Sequence, residues 1–164
     1  MWYVTRTNDS TESVPKLSMG AAFERVPSVV GRARLAYDVG RTEMLAFIHA
    51  AGHADVTGGM IGLFRFAGVD GRRPTEIAVT ARLSKQATND MLRQLERLGY
   101  LERHPDPRDG RARIIRLTER GRALDKAVWA AGRNVEERWR TQFGAEEWTT
   151  FKTVLDRLVD AASE

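Results

Sequence analysis

From Ser28 onward the chain alternates between apolar stripes at helical spacing and short punctuated breaks. Val29, Val30, Ala33, Tyr37, Met44 and Ile48 recur on one side as far as about Ala50, and Ser28, just after Pro27, can cap that helix. Gly40 weakens its middle without ending it. A second helix is predicted from about Asp55 to Phe66, closed by "AGVDG", although its "TGGMIG" is glycine-rich. Pro74 stands where a first-turn proline belongs, and "TEIAVTARL" reads as a short third helix. Ser84 then caps "KQATNDMLRQLERLG". That helix sets Ala87, Met91, Leu92, Leu95 and Leu98 on one side and Lys85, Gln86, Asn89, Asp90 and Arg93 on the other, and Gly99 stops it.

The period then changes. "YLERH" and "ARIIRL" are short and β-branched or aromatic, and Asp109-Gly110 between them is a strong two-residue hairpin signal. Pro105 and Pro107 are expected to keep the arms extended and to block pairing beyond them. Thr118 caps the next helix, with Glu119 near the positive end of its dipole. Leu124, Val128, Ala131 and Val135 form a narrow stripe resembling a helix-pairing seam. About 24 residues at ~1.5 Å each make a rod of roughly 35 Å, longer than a small domain needs to cover its own core. Phe143-Gly144 breaks it, and Trp148, Phe151, Leu155 and Leu158 mark a last amphipathic helix. A short helix, a tight turn and a second helix with a polar outer face make a helix-turn-helix, and a basic hairpin directly after it makes that winged. The expected fold is mainly α with a small β-hairpin wing, flanked by long N- and C-terminal helices.

Composition narrows the function. The chain has 164 residues, 42% of them hydrophobic, enough for one ordinary domain with a core. No apolar run approaches the ~20 residues of a membrane span. The polar start "MWYVTRTNDSTESVPKLSMG" lacks a signal peptide's pattern, so a cytoplasmic protein with no membrane partner is expected. There is no cysteine, which removes disulfides, thiolate metal sites and a thiol-oxidation switch together. Between Arg93 and Arg122 lie nine arginines and five acids, an excess equal to the whole chain's net charge of +4. Arginine suits bidentate pairing with phosphate or guanine. His49 and His53 are four apart but lack the acid of a metalloprotease helix, and Gly52 already ends the helix there. "GGMIG" follows no strand and has no lysine, so it is no phosphate loop. With no nucleophile–base set or paired carboxylates at readable spacing, neither an enzyme nor a metal or cofactor site is expected.

The stretch "RPTEIAVTARLSKQATNDMLRQLERLGYLERHPDPRDGRARIIRLTERGRAL", Arg73 to Leu124, resembles the MarR (multiple antibiotic resistance regulator) family of winged-helix transcription factors. Its pieces are an "R-P-x-E-L-A"-like helix, "LS" before the recognition helix, "L-E-x-x-G-x-x-x-R" into the first strand, "D-P-x-D-x-R" at the wing and "L-T-x-x-G" into the long helix. The element order extends the likeness from about Val29 to Val159. The resemblance implies a homodimer built by the outer helices, recognition helices in successive major grooves of a pseudo-palindromic double-stranded DNA operator, and wings in the flanking minor grooves. It also implies a repressor released by a small-molecule effector, with Arg111 as the wing-tip arginine and Asp109 as its orienting carboxylate. The division expected is a flexible arm over 1–25, an N-terminal dimerisation helix over 26–54, a DNA-binding domain over 55–118 and C-terminal dimerisation helices over 119–164. Within the DNA-binding domain the recognition helix covers about 84–98 and the wing about 100–117.

Side-chain chemistry gives the candidate contacts. Ser84 and Lys85, at a helix N-terminus, suit phosphate. Gln86 and Asn89 can read base edges, and Arg93, one turn on, suits phosphate or guanine. Asp90 can accept from cytosine or pair with Arg93 or Arg97 along the helix, and the intrahelical pair is the favoured reading. Arg108, Arg111 and Arg113 cannot all be buried, so phosphate contact or plain solvation occupies them. An inserted arginine matches the enhanced negative potential of a narrow minor groove. The rival reading is a winged helix used for protein–protein contact without sequence-specific DNA binding. Candidates for an effector pocket are Phe47, His49, Phe64, Arg65 and Trp129, with ordinary core or dimer packing as the alternative for all five.

Overall fold

The computed structural model describes residues 28–64 and 69–161. The expected arm over 1–25 lies outside the described residues. The described residues divide into two units, one ending at Ala36 and the other beginning at Tyr37. In the first, Ser28 Oγ accepts from the Gly31 N–H at 3.2 Å and opens helix α1 (Val29–Ala50), as its sequence suggests. The second unit carries the remainder of α1, then α2 (Gly58–Gly62), α3 (Pro74–Thr80), α4 (Lys85–Arg97), β1 (Leu101–Asp106), β2 (Asp109–Leu117), α5 (Glu119–Phe143) and α6 (Ala145–Ala161).

Three expectations need correction. The second helix does not start at Asp55, because the Asp55 carboxylate is engaged by Tyr100 and Arg120 outside any helix, and Thr57 occupies the cap position. It continues past Gly62 as a wider turn through Phe64. The hairpin does not turn at Asp109-Gly110. Both residues lie in β2, and the reversal falls on Pro107 and Arg108. Pro107 presets the φ that the first central position of a turn needs, and the Asp106 carboxylate accepts from the Arg108 N–H at 2.8 Å, closing the turn locally. Nor do the prolines end the pairing: Pro105 opposes Arg113, a register shift follows, and Asp106 opposes Asp109.

The core of the second unit gathers Ile48, Leu63, Ile77, Leu92, Leu95, Tyr100, Ile115 and Leu124, all nearly inaccessible. The α5 stripe of Leu124, Val128, Ala131 and Val135 packs into this core rather than forming an open seam. By contrast, α6 buries no residue, and Phe151, Val154, Leu155, Leu158 and Val159 leave an apolar face open. The junction between wing and α5 is closely packed. Thr118 Oγ1 caps α5 by accepting from the Gly121 N–H at 3.0 Å and donates to the Gly99 carbonyl at 2.6 Å. A side chain at 121 would put its Cβ 2.0 Å from the Tyr100 carbonyl oxygen, so glycine is required there for space.

Candidate nucleic-acid interface

The helix-turn-helix is built from local capping. The Glu76 carboxylate accepts from the Arg73 N–H at 3.1 Å and starts α3, and Ser84 Oγ accepts from the Ala87 N–H at 3.1 Å and starts α4. Leu92, Leu95 and Thr88 face inward, so the outward side carries the predicted contacts. Lys85 and Gln86 are exposed in the first turn. Asn89 is half-buried, and its amide donates to the Lys85 carbonyl at 3.0 Å. Arg93 is exposed and stands 3.5 Å from Asp90, the intrahelical pair expected from spacing. Both groups are open to solvent, so this pair is worth at most ~1 kcal/mol and leaves Arg93 available.

The wing is fixed to this unit by residues that spacing alone did not single out. Arg73, the residue before α3, donates through Nε to Asp106 Oδ2 at 2.6 Å and reaches Asp109 at 3.7 Å. Asp106 is nearly inaccessible. The Arg108 N–H and then Arg73 hold its carboxyl below the usual carboxylate range, and Asp106 in turn raises the Arg73 guanidinium. Arg103 of β1 donates to Glu96 of α4 at 2.8 Å. The base of the hairpin is therefore tied to the recognition helix and its tip to the residue preceding α3. Asp109 positions Arg111 through the backbone, accepting its N–H at 3.1 Å, while its other oxygen faces Arg73. Arg108, Arg111 and Arg113 are exposed, and among the described residues no ion pair engages their guanidinium groups. The clues to Arg73 and Asp106 were an arginine just before Pro74 and an aspartate just before Pro107, where the expectations above rest on the prolines alone.

Behind the interface lies a second polar cluster. Tyr100 Oη donates to Asp55 Oδ1 at 2.6 Å, Arg120 donates to Asp55 Oδ2 at 2.8 Å and to the Leu98 carbonyl at 2.6 Å, and its guanidinium lies 4.3 Å from the Tyr100 ring centre. His53 Nδ1 is 3.1 Å from Tyr100 Oη. With its one proton given to Asp55, Tyr100 can only accept from His53, which places the imidazole proton on Nδ1. Burial, then the Asp55 carboxylate, push the Tyr100 hydroxyl up to about 12. The Tyr100 bond first, with Arg120, draws the Asp55 carboxyl down. Burial first, then Arg120, hold His53 below its ordinary 6.5, against the opposing pull of Asp55. Because the folded chain disfavours the imidazolium, this contribution to stability is complete above pH 6.5 and is lost as pH falls toward the lowered folded value. Urea midpoints should therefore drop between pH 7.5 and 5.5 by more in the native chain than in His53→Gln. Equal drops would assign the acid sensitivity elsewhere.

The histidines are spent on structure: His49 Nε2 lies 2.8 Å from the Val56 carbonyl, and His53 serves Tyr100. Among the described residues no cluster of histidine and carboxylate side chains could hold a metal ion. Of the effector candidates, Arg65 lies outside the described residues. Phe64 is buried, Phe47 is half-buried against the core, and Trp129 is 54% exposed. Two surface hollows, one along α5 around Asn134 and Arg138, the other beside the wing around His104, Ile114 and Arg122, are lined by none of them.

Capped α3, exposed α4 and a basic hairpin anchored to both define a winged helix-turn-helix. Comparison with known proteins finds relatives for it. The MarR family model matches residues 63–112. The HTH-type transcriptional repressor Rv2887 of Mycobacterium tuberculosis is 35% identical over 88 residues, 54% of this chain and 63% of that protein. The transcriptional regulator HosA of Escherichia coli O111:H- is 30% identical over 84 residues, 51% of this chain and 62% of that protein. The matched region thus spans less than two thirds of either relative. A crystal structure of MarR superposes with a TM-score of 0.69 at 24% identity, covering 85% of this chain and 93% of that one. The structure of Rv2887 in complex with salicylic acid gives 0.61 at 28% identity, covering 82% and 98%. Residues 63–112 of this chain thus match the MarR family model, and its winged helix-turn-helix is similar to those of these proteins. These relatives are transcriptional regulators rather than enzymes, and no helix among the described residues is long and apolar enough to cross a membrane.

Proposed function

We propose that the protein is a homodimeric regulator that binds a pseudo-palindromic double-stranded DNA operator and represses transcription until a small-molecule effector releases it. One observation carries the reading: Arg73 ties the wing to the helix-turn-helix through Asp106, while Arg108, Arg111 and Arg113 project from that wing without an ion-pair partner among the described residues. A stiff cationic finger beside a helix with exposed Lys85, Gln86 and Arg93 and a half-buried Asn89 matches a groove-and-backbone footprint. Ser84 keeps its hydroxyl proton for a phosphate while its oxygen caps α4. Dimerisation is supported by α6, whose apolar side chains Phe151, Val154, Leu155 and Leu158 stay exposed among the described residues. Repression and effector control are carried over from relatives, one a named repressor and one bound to salicylic acid. Binding of a mixed-sequence duplex should weaken steeply with salt, as expected when ~6–10 phosphate contacts release counterions. A flat salt titration would remove the DNA-binding reading and favour a protein partner for the wing.

A further inference from the structure

Three helices of this chain end in the same closed turn. At the end of α1 the Gly52 N–H donates to His49 and the His53 N–H to Ile48; at the end of α4 the Gly99 N–H donates to Glu96 and the Tyr100 N–H to Leu95. The paired bonds require a left-handed residue just beyond the cap, and glycine supplies it, with φ of 96° at Gly52 and 76° at Gly99. Helix α3 closes with the same two bonds, the Arg82 N–H to Val79 and the Leu83 N–H to Ala78. Here the left-handed residue is an arginine, with φ of 53°, the one non-glycine positive φ among the described residues. An L side chain in that conformation crowds its own carbonyl, and turns of helix-turn-helix units ordinarily use glycine to avoid it.

Nothing among the described residues rewards this choice. Arg82 is exposed, and among the described residues neither a hydrogen bond nor an ion pair engages its side chain. It stands two positions before Ser84, the cap of α4, between Val79 at 78% and Leu83 at 40% exposure. In helix-turn-helix proteins the elements leading into the recognition helix cross the DNA backbone. We propose that Arg82 is a phosphate-contacting residue of the DNA interface, presented by the turn itself, and that the unfavourable backbone is kept for that contact. The inference rests on the DNA-binding reading above.

Fold and ligand then make opposite demands at this position, and two substitutions separate them. Arg82→Gly and Arg82→Asn both suit a left-handed turn. Each should unfold at a temperature no lower than the native chain. Each should also lower the slope of log affinity against log salt, measured on a mixed-sequence duplex, by about 0.9 per bound subunit, a loss of roughly eightfold per subunit at 0.1 M salt. Arg82→Lys should keep the slope. Native slope and affinity in the glycine variant would overturn the proposal, and so would a clear loss of stability there, which would mean that the arginine serves the fold. Absence of salt-dependent binding by the native protein would instead bring down the DNA reading as a whole.

Discussion

Gly121→Ala should destabilise the fold by roughly 3 kcal/mol or more, at or beyond the upper end of what an added methyl costs in a packed site. The added Cβ meets a backbone oxygen rather than a yielding side chain, at 2.0 Å. That oxygen is itself fixed, since the Tyr100 carbonyl accepts from the Thr118 N–H at 3.1 Å. Relief would require α5 to move off the start of β1, breaking the cap at Thr118 and the Arg120–Asp55 link together. At ~2–4 °C per kcal/mol for a domain of this size, thermal unfolding should fall by roughly 6–12 °C. A midpoint within a degree of the native one would show that the α5 junction is looser than this geometry. The family-like "L-T-x-x-G" into α5 thereby acquires a physical cause: the threonine closes the helix start, and the glycine lets the helix lie on the strand.

The second large effect concerns binding. Arg111→Ala should weaken specific DNA binding by ~1–3 kcal/mol, roughly 5- to 150-fold, and leave the stability and assembly of the protein unchanged. The separation is expected because the Arg111 side chain is exposed and has no ion-pair partner in the described fold, while its N–H bond to Asp109 survives the substitution. Arg73→Ala should act differently. It leaves the inaccessible Asp106 without its guanidinium and frees the wing tip, so DNA binding and stability should decline together. Gel-shift affinities beside urea melts for the two variants test this contrast. Loss of stability in Arg111→Ala, or native binding in both, would contradict the division of labour between wing tip and wing anchor.

Much of the architecture was legible because its signals are local. Ser28, Ser84 and Thr118 cap helices where a hydroxyl precedes an apolar stripe, and Gly99 stops α4 where the stripe ends. The Asp90–Arg93 pair follows from helical spacing. The hairpin was legible as a hairpin, but its turn was not, since Asp109-Gly110 and Pro107-Arg108 carry competing turn signals. Proline at the first central position and the Asp106 side chain decided for the latter. Long-range partners left no trace in periodicity. Asp55, Tyr100 and Arg120 meet across more than forty residues of sequence, as 45 and 65 positions separate their bonded pairs. Arg73 finds Asp106 across 33. The α5 stripe illustrates the same limit, because a narrow apolar seam reads alike whether it faces a partner helix or the chain's own core. Arg82 is a different case: "TEIAVTARL" reads as helix through Leu83, but α3 ends at Thr80 and Arg82 turns left-handed, where no glycine marks the stop.

The central claim is sequence-specific binding of DNA by a symmetric dimer. The most direct test is selection of tight binders from a random duplex pool, followed by sequencing. A two-fold symmetric motif is expected, with half-sites about one helical turn apart, ~10 base pairs centre to centre, and with flanking positions that lose their preference in Arg111→Ala. Enrichment of no motif at low salt, from a folded dimeric protein, would contradict it and assign the wing's arginines to another partner.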